Sequence, residues 1–428
     1  MIIESDFHNY HNMTDSRLRI FLLAVLPWLS GHANETQADT RQEMATGMVN
    51  LYFSAPLLAE RPRDSSSWER HTSLSSYDVS DLTPVIWRSY RTSERKASKD
   101  FTETKQLIIG DDKMAFTITK HGKAKPGTKL PVTISLHGGG SIPKDQNDLQ
   151  WRAQQERYPD APGIYVCPRA PRDTWNQWHA DHVYPLIDEL IQKLMIHEEV
   201  APNQIYLMGF SAGGYGAFSI GASMPDRFAA VAASAGAPTP DHTPAEHWRN
   251  LPLRFEIGEK DMAYGRVKAC RDYEQSLNAL RVSEKDDAFK FTFIEHEGAG
   301  HQIKDQDCAK WLGQHRRNHR PSSIAWHPTA SNVRQFYWLA SDEPIPGQQI
   351  NADINGNKIT LNTTDVHRLR LRLDDQLVDL DQPVTVIANG MKIFEGMVER
   401  ELHCLVKTLE ERGDPKMMFC SEIALYIP

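Results

Sequence analysis

Three residues that each follow an apolar run have the chemical types required for nucleophilic acyl transfer. Ser211 lies in "IYLMGFSAGGYGAF", Asp261 follows "LRFEIGEK", and His301 follows "FIEHEGAG". A serine hydroxyl is a poor nucleophile unless a histidine accepts its proton and a carboxylate orients that histidine. We therefore expect Ser211 as nucleophile, His301 as general base and then acid, and Asp261 as the orienting carboxylate.

The segment Gly209-Phe210-Ser211-Ala212-Gly213 fits G-x-S-x-G, the tight strand-to-helix turn that presents a serine at the end of a sheet. A chain of this length shows the pattern by chance about one time in ten, so its context matters. The alternative interpretation is a small residue in a tight turn. Two rivals also remain open, Glu259 for the acid and His296 for the base, each closer to its strand than a residue of this kind normally lies.

A glycine-rich stretch, His137-Gly138-Gly139-Gly140, directly follows the apolar run "PVTISL". Backbone N–H groups in such a loop can stabilise an oxyanion, and the N–H that follows the nucleophile usually contributes. We expect the oxyanion to be bound by Gly138, Gly139 and Ala212. A flexible turn or a phosphate cradle is the alternative, but neither G-x-G-x-x-G nor G-x-x-x-x-G-K-[ST] fits here.

Aromatic residues occur near the same edge of the predicted sheet. Trp175, Trp178 and His179 follow the run "GIYVC", and Tyr264 lies three residues beyond Asp261. These four residues are candidates for binding substrate, since aromatic faces suit sugar or phenolic rings. Alternatively, the two tryptophans cap the sheet and His179 begins the next helix.

Short β-rich runs alternate with helical patterns in the middle of the chain. The five runs are 130–136, 163–167, 204–209, 253–258 and 289–296, preceded by "KQLIIGDD" and "MAFTITK". Several are too continuously apolar for a strand with one wet face, and Val183 to Leu194 repeats at helical spacing. The pattern predicts a doubly wound α/β sheet.

The sequence pattern changes near residue 325. Asn355-Gly356 and Asn389-Gly390 separate alternating runs, as in two-residue hairpin turns. In "HRLRLRL" the leucines alternate with arginines, which predicts one buried and one solvated face. We expect a C-terminal antiparallel β domain, sandwich-like, over 325–428.

The N-terminal sequence has the order of a secretory signal peptide. From Met13, two arginines precede an apolar run, 20–29, and small residues end at Ala33. A signal peptide over 1–33, whose true start could be Met13, predicts a secreted or periplasmic protein. A buried N-terminal helix is the alternative. Residues 34–100 are polar and irregular, and they are expected to form a lead-in to a catalytic domain over 101–322.

Taken together, these motifs resemble those of the α/β-hydrolase fold. Within that fold the chain is similar to secreted esterases of the polyhydroxybutyrate depolymerase-like and feruloyl or acetyl esterase-like kind, and to catalytic domains of prolyl oligopeptidase-type peptidases. The resemblance rests on HGGG, GFSAGG and the loops at 258–261 and 298–301, and covers about residues 105–320. It implies a serine hydrolase that acts on a carboxylic ester. Polysaccharide-linked and polymeric esters are among the candidate substrates. A serine peptidase and a non-catalytic binding protein on the same fold are the alternatives.

Composition limits the partners. The 428 residues carry a formal net charge of -8, with 40% hydrophobic and 24% charged residues. Without a basic stripe, nucleic acid is not an expected partner, and no apolar run is long enough to span a bilayer. The five cysteines fit no zinc pattern, although a Cys404–Cys420 disulfide is conceivable, and the acidic residues 374–381 lack calcium-loop spacing. No metal or cofactor is expected.

Overall fold

A computed structural model describes residues 43, 45–50, 52–54, 73–122, 125, 127–284 and 288–428. The predicted signal peptide over 1–33 lies outside these residues. No helix in the described ranges is long and apolar enough to cross a membrane.

An eight-stranded sheet forms the centre of the catalytic region. Its strands are β1 (Gln106–Ile109), β2 (Asp112–His121), β3 (Leu130–Leu136), β4 (Gly163–Pro168), β5 (Val200–Phe210), β6 (Ala230–Ser234), β7 (Leu253–Gly258) and β8 (Phe291–His296). The order is β1-β2-β4-β3-β5-β6-β7-β8, and the six strands from β3 onward are mutually parallel, while β1 and β2 are antiparallel. The predicted doubly wound α/β sheet is confirmed. Parallel strands place their carboxyl ends at one edge, which is where ligands bind in such sheets.

Helices cover the sheet and connect its strands. They are α1 (Ser76–Ala97), α2 (Phe101–Thr104), α3 (Lys144–Arg157), α4 (Val183–His197), α5 (Ala212–Ser223), α6 (Arg266–Ser283), α7 (Cys308–Leu312) and, in the C-terminal region, α8 (Leu402–Arg412). Helix α4 buries the periodic apolar residues that predicted it, and α5 is almost wholly buried. The hydrophobic core therefore lies on both faces of the sheet, which fixes the strand ends that carry the site.

The predicted irregular lead-in contains a 22-residue helix, α1. Ser75 begins it with a capping box, in which its hydroxyl accepts the Asp78 N–H and the Asp78 carboxylate accepts the Ser75 N–H. Its polar composition and the internal Pro84 hide the helix from sequence reasoning. Leu82, Ile86 and Tyr90 are buried in the core of the C-terminal region, so α1 is stabilised by tertiary packing.

The C-terminal region contains two β-sheets around one apolar core. The strands are β9 (Ser323–Trp326), β10 (Gln335–Phe336), β11 (Leu339–Ala340), β12 (Gln349–Asn355), β13 (Lys358–Thr364), β14 (Arg368–Leu373), β15 (Val384–Ala388), β16 (Met391–Gly396) and β17 (Ser421–Tyr426). The sheet orders are β10-β11-β14-β17 and β16-β15-β13-β12-β9. The strands pair antiparallel, as expected, except that β13 and β15 pair in parallel. The connection between them runs through β14 in the other sheet, which lets β15 return in the same direction.

One of the two predicted turns is shifted. Asn389 and Gly390 form a two-residue turn with φ values of 50° and 81°, as the pattern predicts. In the other hairpin Asn355 pairs with Lys358, so Gly356 and Asn357 form the turn. Asn357 is held there by its amide, which donates to the Asp379 carbonyl.

Charged residues join the two regions. The predicted solvated arginine face is not fully observed, because Arg372 is buried. Its guanidinium donates to Gln335 and pairs with Glu411, close to the boundary with α4. Nearby, Arg412 donates to Asp226 at 2.6 Å and Arg317 lies 2.7 Å from Asp414. Breaking such a buried pair by removing one partner costs about 3–5 kcal/mol, so these pairs fix the C-terminal region on the catalytic region.

All five cysteines are buried free thiols. The conceivable Cys404–Cys420 disulfide is absent from the structure. Cys404 lies in α8 and Cys420 precedes β17, and burial raises the pKa of both thiols. The two side chains pack in the apolar core instead.

Candidate active site

Ser211 lies at the sharp turn between β5 and α5. Its φ is 58° and its ψ is −118°, an unusual conformation for a residue with a side chain. The turn requires glycines on both sides: a Cβ on Gly209 would lie 2.0 Å from the Gly213 carbonyl oxygen, and one on Gly213 would lie 2.1 Å from that of Leu136. The strained turn holds Ser211 at the carboxyl edge of the sheet, half-buried and open to solvent.

The three predicted site residues are brought together in a hydrogen-bonded relay. Ser211 Oγ lies 2.9 Å from His301 Nε2, and His301 Nδ1 lies 2.7 Å from Asp261 Oδ2. Because an ionised carboxylate can only accept, Nδ1 donates to Asp261 and Nε2 is left to accept the serine proton. This tautomer is the one in which a histidine can act as base toward a serine.

The relay has a fourth member that the sequence did not predict. Arg266, the first residue of α6, donates from Nη1 to Asp261 Oδ1 at 2.6 Å and from Nε to the Tyr215 hydroxyl at 3.2 Å. Although burial alone lowers the pKa of Arg266, its bonds to Tyr215 and Asp261 raise the pKa overall, so the guanidinium stays charged. Its only sequence signal is its position at a helix start shortly after the candidate acid.

The rival acid and base have other partners. Glu259 accepts the Gly298 N–H at 2.7 Å and so ties together the two loops that carry Asp261 and His301. His296 Nε2 lies 2.8 Å from Glu256 Oε2, a buried carboxylate of β7. The structure therefore places Asp261 and His301, and neither rival, beside Ser211.

The glycine loop after β3 is held in a defined orientation. The Gly138 carbonyl accepts from Gln177 Nε2 at 3.1 Å and from His137 Nδ1 at 2.6 Å. His137 is neutral, since burial lowers its pKa to about 4, and its Nε2 accepts the Ala170 N–H. Because C=O and N–H point in opposite directions in a trans peptide, the Gly139 N–H points away from these partners.

The peptide N–H groups of this loop are not equivalent. Gly139 is exposed with a φ of 106°, whereas the N–H of Gly140 donates to Asn147 Oδ1. Within the described residues no hydrogen bond occupies the N–H of Gly138, Gly139 or Ala212. The three predicted oxyanion donors are thus unoccupied, and a Cβ on Gly138 would lie 3.3 Å from Ser211 Cβ, which puts the loop beside the nucleophile.

Two residues behind the glycine loop were missed by the sequence analysis. Asn147 is fully buried in α3, and its amide bonds the N–H and C=O of Gly140 as well as Asp173 Oδ1. Gln177, also buried, bonds the Gly138 carbonyl. Neither has a sequence signal, because the packing that buries each residue comes from distant segments.

The four candidate substrate-binding residues differ in their positions. Trp178 cannot touch substrate: it is fully buried, and Nε1 donates to the His137 carbonyl beneath the glycine loop. The prediction for Trp178 is therefore wrong, and the residue supports the loop from below, against Gly216 of α5. Trp175 is 70% exposed, and its backbone lies next to Gly140.

His179 and Tyr264 differ in their exposure to solvent. His179 is buried against Trp175, and burial together with nearby His242 lowers its pKa to about 4, so it is neutral at ordinary pH. Tyr264 is 89% exposed, and the Arg266 guanidinium carbon lies 5.0 Å from its ring centroid. Trp175 and Tyr264 thus remain candidates for direct contact with substrate, and His179 supports Trp175.

One group of described residues has side chains close enough to share a cation. It comprises Glu256, Asp307 and Cys308. Arg254 already donates to Glu256 and to Asp307, and Cys308 Sγ donates to Glu256. Arg254 bridges the two carboxylates, so this cluster is explained as an internal ion-pair network.

Residues 119–327 match the model of the Esterase family, described as "Putative esterase". No curated protein sequence matches the chain.

Solved structures with a similar fold include a thermostable esterase, with 17% identity over 50% of this chain and 62% of that one, at a TM-score of 0.42. An S-formylglutathione hydrolase from Agrobacterium tumefaciens has 16% identity over 49% and 97%, at a TM-score of 0.35. A feruloyl esterase module from Clostridium thermocellum, an S954A mutant complexed with sinapinate, has 16% identity over 46% and 80%, at a TM-score of 0.33. Scores this low carry no argument about substrate. Residues 119–327 are therefore similar to the Esterase family, and this region is an α/β-hydrolase-fold carboxylic ester hydrolase domain.

Proposed function

We propose that the chain cleaves a carboxylic ester through a covalent acyl-enzyme on Ser211. The observation that carries this proposal is the continuous relay from Ser211 Oγ to His301 to Asp261, with distances of 2.9 and 2.7 Å. His301 takes the serine proton as Oγ bonds to the ester carbonyl carbon. It then gives that proton to the departing alcohol as the carbon–oxygen bond breaks. Water, activated by the same imidazole, releases the acid in the second step.

The developing oxyanion is bound by backbone N–H groups of Gly139 and Ala212. Two features support this role: the pinned Gly138 carbonyl, which turns the next N–H outward, and the location of Ala212 at the first position of α5. Helix N-termini favour negative charge, and preformed donors of this kind contribute about 2.7–4 kcal/mol each to transition-state stabilisation. Gly138 belongs to the same loop and shapes it through its carbonyl.

A direct test compares Ser211→Ala with wild type on p-nitrophenyl acetate. The variant should lose at least about 10³-fold in kcat, since no nucleophile remains. Ser276→Ala, on the surface of α6, serves as the matched control and should retain wild-type turnover. Undiminished turnover by Ser211→Ala would reject the proposal. It would leave the fold as a scaffold for binding or for another reaction.

The substrate proposal is an ester whose acid or alcohol part presents a flat ring or a sugar face. Its support is Trp175, an exposed aromatic whose backbone lies next to Gly140. A screen of acetylated xylan, methyl ferulate, short hydroxyalkanoate oligomers and peptide anilides distinguishes the candidates. Preference for a proline-containing anilide over every ester would instead identify a peptidase.

We also propose export of the protein, on the basis of the arginines and apolar run that precede Ala33. N-terminal sequencing of protein recovered from the periplasm or medium should begin close to residue 34. Recovery from the cytosol with residues 13–33 intact would contradict export.

A further inference from the structure

The guanidinium of Arg266 is placed against the acid and base of the proposed relay, and no part of the reaction described above uses it. It is 8% exposed, and its Nη1 lies 2.6 Å from Asp261 Oδ1 and 3.3 Å from His301 Nδ1. Since Nδ1 already donates its proton to Asp261, the second approach joins two N–H donors and is not a hydrogen bond. A fixed positive charge therefore stands next to the imidazole that must become positive during the reaction.

We propose that Arg266 is a positioning residue that keeps His301 neutral, and so able to act as base, at lower pH than the Asp261–His301 pair alone would allow. The inference rests on the proposed function. A neighbouring carboxylate favours the protonated form of an imidazole, because opposite charges a few ångströms apart attract. Arg266 offsets the charge of Asp261, so the resting relay can remain neutral at the histidine.

Arg266 also fixes the direction of the Asp261 carboxylate. One oxygen, Oδ1, is occupied by Nη1, which leaves the other, Oδ2, for His301. Arg266 itself is held by the Tyr215 hydroxyl of α5, and its guanidinium carbon lies 5.0 Å from the Tyr264 ring centroid. These contacts hold the guanidinium in a fixed orientation, whereas a flexible ammonium group would not be held in this way.

Other charged and titratable groups around His301 are farther away or already paired. From the loop 258–265 come Glu259, which accepts the Gly298 N–H, and Lys260, whose Nζ lies about 4 Å from a Cβ built on Gly298. On the side of Phe210, whose ring is 5.5 Å from that of His301, Arg157 pairs with Asp305 at 2.8 Å. Tyr215 is neutral, since burial raises its pKa. Among the described residues, Arg266 is thus the cation with direct contact to both Asp261 and His301.

The test is the pH dependence of two rates in wild type, Arg266→Gln and Arg266→Lys: kcat/KM for p-nitrophenyl acetate, and covalent labelling of Ser211 by a fluorophosphonate. In Arg266→Gln the acidic limb of both profiles should move to higher pH by about one unit, since the positive charge that opposes imidazolium formation is gone. Arg266→Lys keeps the charge, so its acidic limb should stay near wild type even where its maximal rate falls. Arg271→Gln is the control, because Arg271 lies on the same helix, paired with Glu295 and half-exposed.

The outcomes separate the two claims. Absence of labelling at Ser211 in wild type would overturn the proposed function. Normal labelling in wild type, with an acidic limb in Arg266→Gln no different from that in Arg271→Gln, would overturn only the role of Arg266. Equal shifts of the acidic limb in Arg266→Gln and Arg266→Lys would also overturn it, because a purely structural role would be lost whether or not the positive charge is kept. Circular dichroism at each pH confirms that the compared variants are folded.

Discussion

Replacing Asn147 by alanine should lower kcat strongly and KM little, because Asn147 holds the loop that carries the proposed oxyanion donor. Its amide makes hydrogen bonds to both backbone groups of Gly140, to the Ile142 carbonyl and to Asp173. A substrate cannot touch Asn147 itself, since the side chain is fully buried. Its effect on turnover must therefore pass through the loop.

The magnitude follows from what the substitution leaves behind. The N–H and C=O of Gly140 would lose their side-chain partner in a buried site, at about 1–3 kcal/mol for each group. A water molecule in the space vacated by the amide recovers part of this, so we expect a loss of about 2–4 kcal/mol in the free energy of unfolding. If the released loop no longer aims the Gly139 N–H, the loss of one oxyanion donor lowers kcat by about 10²–10³-fold.

The assay combines urea unfolding with steady-state kinetics on p-nitrophenyl acetate at a temperature where the variant is folded. Gln146→Ala is the matched control, since Gln146 is the exposed neighbour on α3 and should change neither quantity. A variant that is destabilised as expected but keeps kcat within threefold of wild type would refute the link between this clamp and the oxyanion donor.

Three further outcomes follow from the structure. Trp178→Ala should lower the free energy of unfolding by about 3–5 kcal/mol in thermal unfolding. Trp175→Ala should change it by less than about 0.5 kcal/mol and should raise KM for ring-bearing esters. Equal losses of stability would contradict the buried and exposed positions of the two rings. Asp414→Asn should cost about 3–5 kcal/mol at pH 7 in urea unfolding, because Asp414 is buried against Arg317. Burial alone raises the pKa of Asp414, but Arg317 and Arg227 lower it overall. The stability that the ionised Asp414 contributes is therefore present above the ordinary carboxyl pKa and should fade as the pH falls below about 4. If the difference in unfolding free energy between variant and wild type were constant from pH 7 to pH 3, this reasoning would be contradicted. Gly213→Ala should abolish soluble, active protein, since the new Cβ would lie 2.1 Å from the Leu136 carbonyl oxygen, and a folded, active variant would show that the turn can relax.

The sequence predicted the sheet and the relay because both are set by local patterns. Strands β3, β4, β5, β7 and β8 coincide with β-rich runs in the sequence, and Ser211, Asp261 and His301 each follow the end of one of them. Strand β6 was missed, since "AVAAS" consists of small residues whose burial comes from neighbouring strands. Helix α1 was missed because its stabilising contacts come from distant segments, the end of α4 and the core of the C-terminal region.

The supporting residues of the site could not be predicted for a related reason. Trp175 and Trp178 are three residues apart and equally aromatic, yet one is exposed and the other is buried beneath the glycine loop. What separates them is the space that Gly216 leaves on α5, where a Cβ would lie 2.4 Å from Trp178 Cβ. Arg266 and Asn147 likewise obtain their roles from partners brought by the fold. Sequence patterns therefore indicate reacting groups more readily than the residues that hold them.

The central claim is that His301 activates Ser211. Its most direct test is peptide mass spectrometry after reaction with a fluorophosphonate, on wild type and on His301→Ala. The account predicts one adduct per wild-type chain, on Ser211, and essentially none on the variant. An adduct on another residue, or equal labelling of Ser211 without His301, would contradict it.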